Sequence, residues 1–210
     1  MRNRLFNDNS FIELKDFGAG SRVSSINKRS VKSIAKYACT PKKFSAFLNA
    51  LINYFKVENI LELGTSLGIN TLYLSQNEGT KVITLEGDPS IAKMAFEHFK
   101  LQNRANIEVV VGNIDETLQG ALSKVYKLDL VYLDANHRYE PTLRYFDQIL
   151  PKCTEDTIII VDDIHWSREM AQAWTQLKLH PSTTLSVDLF EAGILWLNPN
   201  LETEAYTLRF

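Results

Sequence analysis

Three aspartates and one histidine stand where two strongly apolar runs end, and such side chains can hold a metal ion or move a proton. Asp134 and His137 follow the first run, and Asp162 and Asp163 follow the second. If the runs are neighbouring parallel strands, their carboxyl ends share one edge of a sheet and the three carboxylates lie close together. Such carboxylates raise one another's pKa, which favours a divalent cation or a substrate ammonium between them. The pattern therefore predicts a charged site at this edge.

A glycine loop (residues 64–68) lies earlier in the chain, between an apolar run and a stretch of helical periodicity. Its pattern is Glu62-x-Gly64-x-x-x-Gly68, with Thr65 and Ser66 inside it. A glycine can adopt dihedrals that a Cβ forbids, or let a ligand or strand approach the main chain. The spacing differs from the dinucleotide fingerprint, and no lysine follows the second glycine, which disfavours a nucleoside triphosphate loop. We predict a ligand-binding turn from strand to helix.

A second acid ends the next apolar run. Glu86 stands 24 positions after Glu62 (86 − 62) and precedes Gly87. In doubly wound nucleotide-binding domains, an acid about 20 residues beyond the glycine loop accepts hydrogen bonds from ribose hydroxyls. We expect Glu86 to bind a ribose.

Short apolar runs alternate with helical segments through the middle of the chain, which predicts an α/β fold with a parallel doubly wound sheet. The predicted parallel strands are residues 60–63, 81–86, 107–111, 128–133 and 157–161. Ligands bind such sheets beyond the carboxyl ends of the strands. Gly64, Glu86, Asn113 and Asp134 all fall there.

Two further strand-like runs, residues 184–190 and 193–197, lie near the end of the sequence. Only Glu191 and Ala192 separate them, and Gly193 helps the chain to turn. So short a joint predicts an antiparallel hairpin, because a parallel pair needs a crossover of about a dozen residues. We expect residues 193–197 to be the more buried strand.

The glycine loop, Glu86, the Asp134 segment and the hairpin together resemble class I S-adenosylmethionine (SAM)-dependent methyltransferases, over about residues 31–198. The resemblance implies a Rossmann-like, doubly wound sheet of seven strands, mostly parallel, with a C-terminal antiparallel hairpin and a helical N-terminal extension. It also implies SAM as cofactor. The implied cofactor-binding residues are Glu62, Gly64, Thr65, Ser66, Gly68, Glu86, Gly87, Asn113, Ile114 and Asp134.

The segments after the fourth and fifth strands resemble those of cation-dependent O-methyltransferases of the catechol and caffeoyl-CoA type. In that group an Asp ending strand four and an acidic pair after strand five hold Mg²⁺ against a diol, which implies that Asp134, Asp162 and Asp163 are metal ligands. Here residues 136–139 replace the usual Lys-bearing segment. The form D-x-x-H-x-Y resembles a broader methyltransferase group in which His137 serves as general base beside Asp134. Both alternatives, Mg²⁺ or another divalent cation and the histidine base, stay open.

The N-terminal part of the sequence is less regular. We expect residues 1–56 to form an arm and cap helices, and residues 57–210 to form the SAM-binding domain. Residues 1–30 are polar and rich in turn residues, and we expect no core element there. Two readings are open for this arm: a solvated segment, or one that folds over the site with Arg22 or Arg29 reaching an anionic substrate.

The composition is that of an ordinary globular protein. The 210 residues are 45% hydrophobic and 23% charged, with a net charge of −2, which gives no field to gather nucleic acid or anionic membrane. The sequence has no apolar run of the ~20 residues that a membrane span needs and no signal-peptide core, so we expect a cytoplasmic protein. The expected partner is a small-molecule substrate, without nucleic acid or membrane, and a homodimer is left open.

These patterns favour a SAM-dependent methyltransferase that acts on oxygen in a small hydroxylated substrate. A non-catalytic SAM-binding module and an N-methyltransferase of a small molecule are the alternatives. A nicotinamide dehydrogenase is disfavoured by the glycine spacing and the hairpin.

Overall fold

The computed structural model of the protein describes residues 1–13, 28–37 and 39–209. The described helices are α1 (Arg2–Leu5), α2 (Val31–Tyr37), α3 (Lys42–Tyr54), α4 (Ile69–Leu74), α5 (Pro89–Leu101), α6 (Ile114–Ser123), α7 (Tyr139–Ile149) and α8 (Arg168–Lys178). The described strands are β1 (Phe11–Glu13), β2 (Lys28–Ser30), β3 (Asn59–Leu63), β4 (Lys81–Glu86), β5 (Ile107–Val111), β6 (Leu128–Leu133), β7 (Cys153–Asp162), β8 (Leu185–Asp188), β9 (Ala192–Trp196) and β10 (Glu204–Thr207). Across these ranges, no helix has the length and apolar character needed to cross a membrane.

Within the described residues, eight strands form a sheet in the order β10–β8–β9–β7–β6–β3–β4–β5, and β1 and β2 form a separate antiparallel pair. The pairs β4–β5, β6–β7 and β8–β10 are parallel. Strand β9 is antiparallel to both β7 and β8. The predicted α/β fold, with a mostly parallel sheet and a C-terminal antiparallel hairpin, is confirmed. Residues 192–195 of β9 are all buried, against only Ser186 in β8, so β9 is the more buried hairpin strand as predicted.

The sequence predicts seven strands in this sheet, whereas eight are found in the part of the chain that the structure describes. The additional strand, β10, is exposed at all four residues. A strand with no buried face shows no alternation of apolar and polar residues, which is the signal on which a sequence prediction depends. The short strands β1 and β2 are missed for the same reason, because neither has a buried residue.

The chain forms two compact units. The first unit comprises Met1–Glu58 and Glu62–Leu118, and it contains the glycine loop, β4, β5 and α5. The second comprises Asn59–Leu61 and Gln119–Phe210, and it contains β6, β7 and the hairpin. The two are described separately below.

In the first unit, the end of β4 is fixed by the start of the following helix. Asp88 is the N-cap of α5, and its side chain accepts hydrogen bonds from the backbone N–H groups of Ser90 (2.7 Å) and Ile91 (2.9 Å). Pro89 occupies the first turn, where a missing N–H costs nothing. Because the helix must begin here, Glu86 is held at the point where the strand ends.

The first unit also contains an N-terminal layer, which we define as residues 1–13 and 28–37. Its buried apolar side chains pack in one cluster with two residues at the glycine loop; the members are Leu5, Val31, Ile34, Ala35, Leu67 and Ile69. The expectation that residues 1–30 contribute no core element is therefore wrong at Leu5, which is 1% exposed. Arg22 lies outside the described residues, and the role predicted for Arg29, which lies on β2, stays a prediction.

In the second unit, β6 and β7 are apolar and almost wholly buried along their paired halves. Their parallel register aligns Leu133 with Val161. The residues that come next, Asp134 and Asp162, therefore lie side by side at the carboxyl ends of these two strands. This register brings the acidic residues of the sequence analysis together.

Candidate functional site

The glycine loop is held by main-chain hydrogen bonds and turned by residues of left-handed conformation. The N–H groups of Gly64 and Thr65 both donate to the carbonyl of Leu85, at 3.0 and 3.1 Å, and that of Gly68 donates to the Thr65 carbonyl at 2.9 Å. Gly64 and Gly68 have φ values of 101° and 73°, and Ser66 reaches 49° without being a glycine. The loop is therefore a tight turn that is tied to β4 and to itself by main-chain hydrogen bonds.

Gly68 is required by packing as well as by backbone conformation. A Cβ placed on Gly68 would lie 2.5 Å from the ring of Phe99 and 3.2 Å from Ala95 on α5. Such a distance to the ring is far below van der Waals contact, so a side chain here would push α5 away from the loop. The close approach that the sequence predicts at this glycine is therefore made by the helix.

Glu86 connects the loop to the start of α5. Its Oε2 accepts the N–H of Ser66 at 2.8 Å, and its Oε1 accepts the N–H of Asp88 at 2.9 Å. Burial raises the pKa of Glu86, and these backbone hydrogen bonds oppose the increase. A carboxylate offers about four acceptor positions, so capacity remains for ribose hydroxyls. The predicted ribose contact stays a prediction.

Glu62 is fully buried, and three side chains of the protein bond its carboxyl group. Its carboxyl group accepts from Thr71 Oγ1 (2.5 Å), Thr84 Oγ1 (2.7 Å) and Asn70 Nδ2 (3.2 Å). Because the Thr84 hydroxyl donates to Glu62, Thr65 must donate to Thr84 across their 2.6 Å contact. Burial raises the pKa of Glu62 to about 7, although the three hydrogen bonds act against it. These contacts tie β3 to β4, to the loop and to α4.

Asn70 was not singled out by the sequence, although it lies two positions after Gly68. It is 7% exposed, and its Oδ1 atom is buried without a hydrogen-bond partner among the residues that the structure describes. A buried acceptor without a donor costs about 1–3 kcal/mol, so such an atom calls for an external donor. The methionyl ammonium of SAM is a donor of this kind. The loop therefore fits the cofactor that the resemblance implies.

The remaining residues predicted to bind the cofactor follow β4 and β5. Gly87 is partly buried and follows Glu86 directly. The side chain of Asn113 accepts the N–H of Asp115 at 3.1 Å, and its carbonyl accepts the Thr117 hydroxyl at 2.9 Å. Asn113 therefore supports the first turn of α6, which begins at Ile114. The contact of Gly87, Asn113 and Ile114 with the cofactor stays a prediction.

In the second unit, the acidic cluster (Asp134, Asp162 and Asp163) is arranged around His137. The imidazole Nε2 lies 3.4 Å from Asp134 Oδ1, and Nδ1 lies 4.0 Å from Asp163 Oδ2. The third carboxyl, Asp162, accepts the hydroxyl of Tyr132 at 2.8 Å. The three carboxyl groups lie near one another, as the sequence predicts, and His137 lies between Asp134 and Asp163.

Backbone strain is concentrated at the same place. Asn136, His137 and Asp163 have φ values of 66°, 45° and 56°, in the left-handed region that favours glycine. Such conformations cost on the order of 1–3 kcal/mol each for non-glycine residues, less for asparagine, and they cluster at functional sites. This strain is a second reason to regard the cluster as functional.

The protonation of Asp162 follows from its surroundings. Burial raises its pKa well above the ordinary value, and the negative charges of Asp134 and Asp163 raise it further. The hydroxyl of Tyr132 and the imidazole of His137 act in the opposite direction without cancelling the increase. Burial and the two neighbouring carboxylates therefore both favour the neutral form of the Asp162 carboxyl group.

The predicted metal site can be tested against these positions. Within residues 1–13, 28–37 and 39–209, no three His, Cys, Asp or Glu side chains are arranged so that they could hold a metal ion. The hydroxyl of Tyr132 occupies one oxygen of Asp162, and His137 separates the other two carboxylates. As placed, the cluster does not fit a divalent cation, and the metal-ligand role of Asp134, Asp162 and Asp163 stays a prediction.

A second histidine and acid pair lies beyond β7 and β8, and the aspartate was not predicted. His165 Nε2 lies 2.8 Å from Asp188 Oδ2, which also accepts Trp174 Nε1 at 3.2 Å. Asp188 Oδ1 accepts the N–H of Phe190 at 2.8 Å. Burial alone would raise the pKa of Asp188, but these hydrogen bonds outweigh it and lower the pKa. No sequence pattern predicts this pair, because the partners are 23 positions apart.

Comparison with known proteins gives a consistent result. Residues 61–164 match a protein-family model described as a methyltransferase domain. The chain is 30% identical over 121 residues to a catechol O-methyltransferase of Mycobacterium tuberculosis, across 56% of this chain and 53% of that protein. It is 23% identical over 170 residues to a catechol O-methyltransferase of Niastella koreensis, across 78% of this chain and 76% of that protein. The chain thus spans about half the length of the first relative.

The fold is shared with a solved structure. The crystal structure of the O-methyltransferase from Bacillus cereus in complex with S-adenosylhomocysteine (SAH) superposes with a TM-score of 0.65. The two chains are 22% identical, and the match covers 76% of this chain and 82% of the other.

Proposed function

We propose that this chain, whose residues 61–164 belong to a family of methyltransferase domains, transfers the methyl group of SAM to a hydroxyl oxygen of a small molecule. The relatives named above support the class of reaction, since both are O-methyltransferases by name. The identity of the acceptor is part of the proposal. Because both relatives are named for catechol, a catechol-type diol is the first acceptor to try.

One observation carries the cofactor part of the proposal: the Oδ1 of Asn70 beside the glycine loop is buried and has no hydrogen-bond partner in the described part of the chain. When bound, SAM supplies a methyl group that an oxygen nucleophile can attack. Asn70 would accept an N–H of its ammonium group, and Glu86 would accept hydrogen bonds from its ribose. Both acceptors are preorganised, because Asn70 Nδ2 is bonded to Glu62 and Glu86 is bonded to two backbone N–H groups.

The acceptor hydroxyl must lose its proton as the new C–O bond forms, because a neutral hydroxyl is a weak nucleophile. We propose His137 as the base that takes this proton. Its imidazole lies near the carboxylates of Asp134 and Asp163, which would stabilise the imidazolium ion that results. This step needs His137 as general base and the negative charges of Asp134 and Asp163 beside it.

The class of the methyl acceptor, the location and the oligomeric state are also part of the proposal. The net charge of −2 makes a small molecule a better acceptor than a nucleic acid, whose backbone is bound by positive surfaces. A cytoplasmic location and a homodimer stay predictions.

The proposal is tested by binding and turnover with the intact chain. Calorimetry with SAM and SAH should give one binding site per chain. Incubation with SAM and catechol should then produce SAH and a methylated catechol. Chromatography and mass spectrometry detect both products. Binding without turnover on any of a panel of diols, phenols and amines would favour a non-catalytic SAM-binding module, and methylation of amines alone would favour an N-methyltransferase. Failure to bind either SAM or SAH would overturn the proposal.

A further inference from the structure

His98 lies in the last turn of α5 and contacts the glycine loop. It is 6% exposed, and its Nδ1 lies 2.9 Å from the carbonyl oxygen of Leu67. A carbonyl oxygen can only accept a hydrogen bond, so Nδ1 carries the proton and donates it. This fixes the tautomer of the neutral ring. The buried His98 side chain therefore donates a hydrogen bond to the backbone of a loop that lies 31 positions earlier in the sequence.

The peptide group between Leu67 and Gly68 is bonded on both sides. Its carbonyl accepts from His98, and its N–H donates to the Thr65 carbonyl at 2.9 Å. Because a peptide group is planar, two bonds on opposite sides fix its rotation about the chain. Gly68, which follows, is held in the left-handed conformation with φ of 73°.

The loop is also held by apolar contacts on both sides. Phe99, the residue after His98, packs so closely on Gly68 that a Cβ there would lie 2.5 Å from its ring. The side chain of Leu67 is fully buried and belongs to the same apolar cluster as Leu5 and Val31 of the N-terminal layer. The loop is therefore shaped by α5 and by the N-terminal layer, and the polar part of that support is the hydrogen bond from His98.

We propose that His98 is a positioning residue of the cofactor site, which fixes the Leu67–Gly68 peptide so that the loop and Asn70 are ready to receive SAM. Asn70 lies only two positions beyond Gly68, so a rotation of this peptide would move the start of α4. His98 does not touch the cofactor. The inference rests on the proposed function, since it assumes that the loop binds SAM.

The test uses three substitutions that separate the hydrogen bond from the size of the side chain. In His98→Asn the amide nitrogen takes nearly the position of Nδ1, so the bond to Leu67 can be kept. In His98→Gln the same amide lies one carbon further out, and His98→Leu removes the donor while filling the space. His180→Leu is the matched control, because this histidine lies in the second unit and contacts Asp147 and Phe146.

We expect calorimetry to show that SAH binds about tenfold more weakly to the Leu and Gln variants, because the Leu67 carbonyl loses its donor. His98→Asn and the His180→Leu control should bind within about twofold of the wild type. In turnover with catechol, KM for SAM should rise in the Leu and Gln variants while kcat and KM for catechol change little. Circular dichroism establishes which variants fold. If His98→Leu does not fold, the Gln and Asn variants still give the comparison.

Wild-type affinity in His98→Gln or His98→Leu would overturn the inference, as would an equal loss in His98→Asn. These results differ from a failure of the proposed function, in which the wild-type protein itself binds neither SAM nor SAH.

Discussion

Among single residues, the buried Glu62 makes a contribution to the stability of the chain that depends on pH. Its pKa rises from an ordinary 4.5 to about 7 because the carboxyl group is buried. Between these pH values the folded protein keeps a proton that the unfolded chain releases. The stabilising contribution of this proton is complete below pH 4.5 and is lost as the pH rises to about 7.

The substitution Glu62→Gln should therefore have a pH-dependent effect. The amide stays neutral at every pH, whereas the wild type loses the stabilising contribution of its bound proton as the pH rises. The free energy of unfolding of the variant should therefore increase relative to that of the wild type by up to about 3 kcal/mol between about pH 4.5 and 7, and should not increase further above pH 7. Urea unfolding at several pH values measures it. Glu97→Gln, an exposed position on α5, is the control and should show no such trend. A difference between Glu62→Gln and wild type that is constant with pH would contradict the assignment.

Glu86 gives the second prediction at this scale. Glu86→Ala removes the acceptor proposed for the ribose and also leaves the N–H groups of Ser66 and Asp88 without their partner. We expect the affinity for SAH to fall roughly ten- to hundredfold, since hydrogen bonds to a charged group are worth ~1.5–3 kcal/mol. Calorimetry with Glu97→Gln as control measures this change, and unchanged affinity in Glu86→Ala would show that Glu86 does not bind the ribose.

The sequence predicts those functional candidates whose position follows from a strand ending. Asp134, Asp162 and Glu86 are of this kind, because an apolar run stops at a carboxylate. Asn70 and His98 could not be predicted in their present roles, because these depend on which atom is left without a partner and on how α5 packs. Such facts arise from contacts between distant parts of the chain.

At the scale of elements, the contact of α5 with the glycine loop is the feature most open to test. Gly68→Ala places a methyl group 2.5 Å from the Phe99 ring and at a φ of 73°, so it should destabilise the fold by roughly 1–3 kcal/mol. Gly79→Ala is the matched control, since a Cβ at Gly79 meets nothing within 4 Å. Its free energy of unfolding should stay within about 0.5 kcal/mol of the wild type.

Urea unfolding of both variants measures the difference in stability. Its two causes, the steric contact with Phe99 and the backbone strain at position 68, can be separated with Phe99→Leu in the Gly68→Ala background. Relief of part of the loss by the smaller side chain would support steric contact with α5. If Gly68→Ala proved as stable as Gly79→Ala, the close packing of helix on loop would be refuted.

Elements with a clear pattern are predicted within a few residues. The strands β4, β5 and β6 have the predicted bounds, and the hairpin follows from the short joint between its strands. Strand β10 could not be predicted, because a strand exposed at every residue looks like a loop in the sequence. The burial of Leu5 was missed because it lies in a short polar segment without helical or strand periodicity, whereas α2 falls where cap helices were predicted.

For the molecule as a whole, the open question from the sequence is whether methyl transfer needs a metal. Because His137 separates Asp134 from Asp163, we expect activity on catechol to survive treatment with EDTA. His137→Gln should lower kcat by about 10²–10⁴-fold, the usual contribution of a general base. Loss of activity in EDTA, with recovery on adding Mg²⁺, Mn²⁺ or Ca²⁺, would instead support Asp134, Asp162 and Asp163 as metal ligands.

The central claim is the transfer of a methyl group from SAM to oxygen, and following the methyl carbon itself tests it most directly. The intact protein is incubated with SAM labelled with ¹³C in its S-methyl group and with catechol, and the product is examined by carbon NMR. We expect a ¹³C-methoxy group on the catechol, in equal amount to the SAH formed. Label that stays on SAM with every hydroxylated acceptor tried, or that appears only on nitrogen when amines are supplied, would contradict it.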